Sequence, residues 1–207
     1  MYRPPHFRVE NREEIHQMMR ATRLCNLVTS GPEGIHATAL PLILDDREGE
    51  LGTLYGHLSR ANPQWTSEIQ GDALAIFMGP SAYVTPAWYG AKQETGKVVP
   101  TWNYTAVHAY GTVEFFTDRE AMLRIVSRLT ELNESTRDLP WAVKDAPEDF
   151  VEAKLKGIVG LRLQITQLEG KAKMSQDKSS EDRQRIAEGL CESDDAENRA
   201  VSRLIPR

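Results

Sequence analysis

The sequence predicts a mainly β fold with peripheral helices, an α+β architecture. Three observations predict it. Short apolar or alternating segments recur from Cys25 to Leu168, separated by turns rich in Gly, Pro and Asp. Amphipathic segments with N-cap residues stand beside them, behind Asn11 and behind Asp118. Beyond Ser179 the chain becomes densely charged and helical in pattern.

Taken in order, Asn11-Arg12-Glu13-Glu14 has the form of a capping box. Ile15, Met18, Met19 and Ala21 follow at helical spacing, so the spacing predicts a helix over 11–23. Cys25–Ser30 and Ile35–Leu44 read as strands joined by Gly31-Pro32-Glu33-Gly34. Asp45-Asp46-Arg47-Glu48-Gly49 is a second polar turn, leading to a strand that ends at His57. Asn62–Gln70 reads as a short helix, and Ala73–Met78 as a strand buried on both faces. A further strand, Tyr83–Tyr89, is separated by a polar loop (Gly90–Lys97, with Lys92 and Lys97 solvated) from a long one at Val98–Phe116. Gly111 inside that long strand marks an expected bulge. Asp118 caps a helix carrying Ala121, Ile125, Leu129 and Leu132 on one side, and Asp145–Lys156 forms another. Gly157–Leu168 returns as a strand with Val159, Leu161, Leu163 and Ile165 alternating. The pattern divides the chain into a body, 1–178, and a charged tail, 179–207, with helices at Glu181–Leu190 and Ala196–Leu204.

Composition excludes several function classes. At 207 residues, 40% of them hydrophobic, the chain suffices for one domain with a substantial core or one domain plus a small appendage. No apolar run has transmembrane length, and the first residues lack a signal-peptide pattern. Cys25 and Cys191 have no metal or redox spacing and read as thiols of a reducing cytoplasm. The five histidines are scattered without ligand spacing, so no metal site is expected. No P-loop, GxGxxG, GxSxG or HExxH motif occurs. The net charge is −5 and no Lys/Arg-rich stretch is present. Direct DNA binding is therefore doubtful, because phosphate neutralisation by cations supplies most of that affinity.

The densest chemistry lies in Tyr55-Gly56-His57-Leu58-Ser59-Arg60-Ala61-Asn62-Pro63-Gln64-Trp65. A strand ends here and delivers a hydroxyl and a guanidinium just before a helix start. Pro63 suits the first helical position and Asn62 the N-cap. Ser59 and Arg60 beside free amides make a candidate phosphate site, since Arg forms bidentate charge-assisted bonds. A solvated turn with a surface Arg is the alternative reading.

Further tracts accompany it: Met1–Phe7, Ser81–Tyr89, Val99-Pro100-Thr101-Trp102-Asn103-Tyr104, and Lys171-Ala172-Lys173-Met174-Ser175-Gln176. With GHLSRANPQW, they resemble in residue type and order the PaiB-like family of FMN-binding transcriptional regulators. The resemblance runs from Met1 to about Gly189. It implies the split β-barrel of the pyridoxamine-phosphate-oxidase-like flavoproteins, FMN as cofactor, and a homodimer completing each flavin site with both chains. It also implies phosphate contact by Ser59 and Arg60, with His57 and Asn62 nearby. The ring would lie against the strand around Leu40 and Pro41; Ala39 stands where relatives often carry His. Thr85 and Asn103 are candidate contacts from across an interface, Trp102 is a candidate for direct flavin contact with core or dimer-interface packing as the alternative, and Lys173 and Gln176 are candidates from the segment after the last strand. Asp177 departs from the family's Asn. Three functions follow as expectations: an FMN-binding regulator acting through flavin or a partner, an FMN-dependent oxidoreductase with the flavin carrying the redox chemistry, or a flavin or small-molecule binding module without turnover.

Overall fold

The computed structural model describes residues 1–90, 92 and 96–206, so part of the expected Gly90–Lys97 loop (91 and 93–95) lies outside the described residues. Seven strands are assigned: β1 (Arg8–Val9), β2 (Leu24–Gly31), β3 (Gly34–Asp45), β4 (Thr53–Ser59), β5 (Ala73–Val84), β6 (Thr101–Phe116) and β7 (Ile158–Lys173). Among the described residues five α-helices accompany them: α1 (Arg12–Thr22), α2 (Arg119–Glu134), α3 (Glu148–Leu155), α4 (Ser180–Cys191) and α5 (Ala196–Leu204). The strands are hydrogen-bonded in the order β1-β7-β4-β3-β2-β5-β6, and a further β7–β6 pairing closes that order on itself. The α+β class expected from the sequence is the class observed.

The chain divides into two compact units. One comprises 23–77 and 109–168, the other 1–22, 78–108 and 169–206. In the first, β2 and β3 form a hairpin in the register Cys25↔Leu40 and Gly31↔Gly34. β4 pairs with β3 (Leu42↔Gly56) and with β7 (Gly56↔Leu161, Ser59↔Ile158). Period-2 alternation sends Leu27, Leu42, Leu54, Leu58, Val159, Leu161 and Leu163 to the core. Gly111 is explained by close approach: a Cβ there would sit 1.9 Å from the Gln164 carbonyl oxygen. Asp118 caps α2 by accepting from the Ala121 N–H at 2.8 Å. The buried face of that helix is Met122, Ile125 and Leu129, with Leu132 exposed, so the apolar stripe is shifted from the expected one. Ile125 and Leu129 pack on Ile43, Tyr55 and Phe116.

In the other unit, the Asn11 carboxamide accepts from Glu14 N–H at 3.1 Å and starts α1, which buries Ile15, His16 and Met19. β1 pairs with β7 at Val9↔Gly170. Ile186 and Leu190 of α4, with Val201 and Ile205 beyond, pack into a buried cluster with Ala82, Val84, Tyr89 and Met174. The charged tail therefore has an apolar inner face.

Four expectations need correction. Asn62–Gln70 is not a helix but a single 3-10 turn at Pro63–Trp65. Its apolar content is too small to stabilise more. Ala73–Met78 and Tyr83–Tyr89 are not two strands: β5 runs through Gly79-Pro80 to Val84, and a 3-10 turn at Pro86–Trp88 follows. Gly79 reads as turn chemistry but permits close approach, since a Cβ there would lie 2.0 Å from Thr105 Oγ1. Asp145–Lys156 divides at Pro147 into a 3-10 turn, Val143–Asp145, and α3. The last strand continues past Leu168 to Lys173, through Gly170, whose missing Cβ admits Val9 and Ile15.

Candidate functional site

The first unit carries Leu40, Pro41, His57, Ser59, Arg60 and Asn62. β4 ends at Ser59, and the chain turns at once, the Asn62 N–H donating to the Ser59 carbonyl at 2.9 Å. Ser59 Oγ accepts from the Ala61 N–H at 3.3 Å. The Arg60 guanidinium is anchored to the turn before β7. Its Nε donates to Lys156 O at 2.7 Å and one Nη to Ile158 O at 3.3 Å, while the Arg60 backbone N–H donates to Gly157 O at 2.9 Å. The charge also lies 5.9 Å from the centre of the Trp65 ring, whose Nε1 donates to Arg60 O at 2.8 Å. Ser59 and Arg60 are nonetheless exposed.

Beneath this corner runs a buried polar chain that sequence reasoning missed. Asn62 accepts from the Gln64 N–H at 2.9 Å, as an N-cap should, and its Nδ2 donates to Thr38 Oγ1 at 2.8 Å. Thr38 donates to Gln64 Oε1 at 2.6 Å, and Gln64 Nε2 donates to Leu27 O at 3.2 Å and Thr29 Oγ1 at 3.1 Å. Gln64 is completely buried. Both polar atoms of its side chain have partners, so the network fixes the strand-end turn onto β2 and β3. The available signal was Gln64 itself, a polar residue between Pro63 and Trp65.

On the outer face of the same unit, Pro41 and His57 line a cavity of about 560 Å3, together with Leu129, Trp141, Phe150, Leu155 and Ile158. Leu40 points the other way, into the core; only its backbone is available to a ligand. His57 Nδ1 is buried with no hydrogen-bond partner among the described residues. Desolvation pushes the His57 pKa below its ordinary 6.5, so the imidazole is neutral at pH 7.

Thr85, Trp102, Asn103, Lys173 and Gln176 belong to the other unit. Buried Asn103 exchanges hydrogen bonds with Ser175: its Nδ2 donates to Oγ at 3.0 Å, and Oγ donates to its Oδ1 at 3.1 Å. The Lys173 ammonium donates to Thr101 Oγ1 and, at 3.0 Å, to Trp102 O. Gln176 accepts from the Met174 N–H at 2.7 Å and donates to Ala172 O at 2.6 Å, bracing its own turn. Thr85 caps the Pro86–Trp88 turn, accepting from Ala87 N–H at 3.2 Å. The Trp102 ring meets Tyr83 edge-on at 6.1 Å, and the two remain 55% and 48% exposed. Lys173, Thr101 and Trp102 are thus brought together, as are Asn103 and Ser175, whereas Thr85 caps its own turn.

These features fit FMN. The strand end offers a hydroxyl and a guanidinium for a terminal phosphate. The neighbouring cavity is largely apolar, and His57 Nδ1, unpartnered among the described residues, can meet a polar ring edge.

Comparison with known proteins agrees. The profile of the family described as "Putative FMN-binding domain" matches residues 1–167. The protein named protease synthase and sporulation protein PAI 2, from Bacillus subtilis, is 31% identical over 99% of this chain and 96% of its own. An uncharacterised protein of Aspergillus fumigatus is 38% identical over 67% of this chain, which spans 66% of that relative's length. Among solved structures, an FAD- and heme-binding protein from Mycobacterium smegmatis superposes with a TM-score of 0.58 at 16% identity, covering 84% of this chain and 78% of that one. The flavocytochrome Anf3 of Azotobacter vinelandii gives 0.56 at 15%, covering 80% and 69%. The last two show a shared fold. The chain belongs to the PaiB-like family of FMN-binding proteins, and its cofactor is the flavin FMN.

Proposed function

We propose that this protein binds FMN at the interface of a homodimer and serves as a PaiB-like regulator, acting through its flavin or a protein partner rather than by reading DNA. The observation that carries the site is the exposed Ser59–Arg60 pair, held by a buried network and adjoining a cavity with an unpartnered His57 nitrogen. Ser59 and Arg60 hold the phosphate, with Asn62 positioning the turn. His57, Pro41 and the backbone at Leu40 face the ring. When bound, FMN supplies reversible one- and two-electron redox chemistry. Thr85, Trp102, Asn103, Lys173 and Gln176 belong to the half that meets a second copy, where exposed Tyr83 and Trp102 offer a rigid apolar contact.

The cations argue against direct DNA binding. Arg20, Arg119, Arg128, Arg137, Arg162 and Arg185 each pair with a carboxylate within 4 Å. The net charge is −5. Regulation then requires a flavin state or a partner that responds to it. No helix is long and apolar enough to cross a membrane, and the reading assigns the protein to the cytoplasm. In it, residues 1–178 form the flavin-binding body and 179–207 an accessory tail.

Titration of the protein with FMN and riboflavin tests the reading. FMN should bind at least about tenfold more tightly, because a hydrogen bond to a charged group contributes about 1.5–3 kcal/mol. Equal affinities would remove the phosphate site. Sedimentation at micromolar concentration should give a dimer; a flavin-loaded monomer would remove the shared site. The cavity beside His57 favours a second reading, an FMN-dependent oxidoreductase, because it gives a reactant room next to the proposed ring position. Loss of flavin absorbance on adding NADH or NADPH, restored by air, would support it.

A further inference from the structure

We propose that the cavity between α2 and the turn joining β3 to β4 (46–52) holds the C-terminal end of a peptide: a free carboxylate on an apolar residue whose own nitrogen is acylated. The site goes beyond the flavin reading and is separate from it. None of its lining residues borders the cavity beside His57 or belongs to the Ser59–Gln64 corner. Ala121, Arg124, Ile125 and Arg128 form one face of α2 and line this cavity. Val126, Leu129, Thr130 and Asn133 turn a different face to the cavity beside His57.

Size and floor limit the occupant. The cavity measures about 340 Å3, the small end of the range for ligand sites, and suits the last two residues of a chain. Its floor is apolar: Ile43 and Ile125 are buried, and the partly buried Tyr55 and Phe116 pack against them.

The rim is charged, and its charges do not cancel. The Glu48 carboxylate is fully engaged: Oε1 accepts twice from Arg162, at 2.7 and 2.9 Å, and Oε2 accepts from Tyr55 at 2.6 Å. Asp45 is partly engaged. Its Oδ1 accepts from the Arg47 N–H at 3.1 Å, and its Oδ2 makes a long contact of 3.4 Å with Arg128. Arg124 meets one carboxylate among the described residues, Glu120 at 3.9 Å, and the two side chains are 71% and 78% exposed. Arg124 and Arg128 stand one helical turn apart on α2, where like charges repel. With Glu48 set against Arg162 and Asp45 against Arg128, the charge left over at the rim is that of Arg124.

These groups select the ligand. A carboxylate between Arg124 and Arg128 relieves their repulsion and accepts charge-assisted hydrogen bonds from both. Asp45 Oδ2 can accept a further bond, which an amide N–H beside that carboxylate supplies. A free ammonium would need a carboxylate to itself, and Glu48 and Asp45 already serve Arg162 and Arg128. An acylated nitrogen therefore fits better than that of a free amino acid. The apolar side chain covers the floor. Carboxylate, amide and apolar side chain together make the C-terminal residue of a peptide.

Calorimetric titration of the FMN-loaded, full-length protein with N-acetyl-Ala-Phe tests this. Three controls each lack one feature: the C-terminal amide lacks the charge, N-acetyl-Ala-Ser the apolar side chain, and the compound methylated on the last nitrogen the donor. Binding of the acid is expected, with each control about tenfold weaker, the size of one charge-assisted hydrogen bond or one buried side chain. Arg124→Gln, at an exposed position, should weaken the acid by about tenfold and leave the amide unchanged. A longer peptide ending in Ala-Phe should bind as the short one does. Absence of binding by the acid, equal binding of acid and amide, unchanged affinity in Arg124→Gln, or failure of the longer peptide to bind overturns the proposal. Displacement of FMN by the peptide also overturns it, since the cavity is then part of the flavin's own site, while the FMN reading stays intact. Conversely, binding with these preferences by protein that takes up no FMN would sustain the peptide site and remove the FMN reading.

Discussion

The strand-end corner at Ser59–Gln64 and the turn at Lys173–Gln176 were both read from motifs rich in polar side chains, yet they are built differently. At the first corner the polar load is layered. Gln64 and Thr38 are bonded underneath, and the groups that would meet a ligand, Ser59 and Arg60, stay at the surface. At the second, both ends of the Gln176 side chain bond backbone, and the Lys173 ammonium bonds Thr101 and Trp102. A supporting network beneath exposed donors suits the proposed phosphate site. At the second, Gln176 braces its own turn and Lys173 ties the end of β7 to Thr101 and Trp102 of β6. Arg60 also donates to two backbone carbonyls, so what sets the first corner apart is the buried network beneath it.

Breaking the layer beneath the first corner should have the largest effect. Gln64→Leu keeps approximate size but removes the partners of Thr38, Thr29 and the Leu27 carbonyl in a completely buried position. Stability should fall by about 3 kcal/mol, each lost bond to a buried group contributing about 1 kcal/mol. Urea unfolding followed by fluorescence measures this. FMN affinity should fall as well, since the turn carrying Ser59 loses its anchor. A variant with wild-type unfolding would mean that the network is not what fixes the turn.

Removing the exposed donor isolates the other layer. Arg60→Ala should weaken FMN binding by about 1.5–3 kcal/mol and leave riboflavin binding unchanged. The protein should remain folded, because the backbone bond from Arg60 to Gly157 survives. An unchanged FMN dissociation constant would reclassify Arg60 with Lys173, as a brace between the turns at 60 and 157.

Acid sharpens the comparison more gently. His57 has a folded-state pKa depressed below 6.5 by burial, so the unfolded chain binds a proton first. Its contribution to stability is present above pH 6.5 and is lost as pH falls through the window below that value. The loss should be absent in His57→Phe. If the variant and the parent lost stability equally between pH 6.5 and 5, His57 would be solvated.

Much of this was legible in the sequence because the signals were local. The caps at Asn11 and Asp118, the hairpin at Gly31–Gly34 and the alternation of Val159, Leu161, Leu163 and Ile165 each lie within a few residues. The N-cap role of Asn62 was legible for the same reason, and the strand end was placed at His57, two residues short of Ser59. What failed to show was set by distant contacts. Gly79-Pro80 reads as a break, but its fit against Thr105 decides that β5 continues. Gln64 looked like a helix residue because its partners, Leu27, Thr29 and Thr38, lie more than twenty residues away. The cavity at His57 needed α2, α3 and the Val143–Asp145 turn to come together, which no spacing encodes.

The smallest effect is expected at the second turn, and it tests the comparison from the other side. The double substitution Lys173→Ala with Gln176→Ala removes four hydrogen bonds, all of them to groups of this same unit. Because these side chains are only partly buried, water can replace much of what is lost. Stability should fall by about 1–2 kcal/mol, and FMN affinity by less than about 0.5 kcal/mol, well short of the loss in Arg60→Ala. Parallel FMN and riboflavin titrations, with urea unfolding on the same samples, separate the two quantities. Should the double variant lose FMN as strongly as Arg60→Ala while unfolding normally, Lys173 and Gln176 would contact the flavin directly. Intramolecular bonds in the ligand-free protein would then not mark a brace, because those side chains exchange their partners when the cofactor arrives.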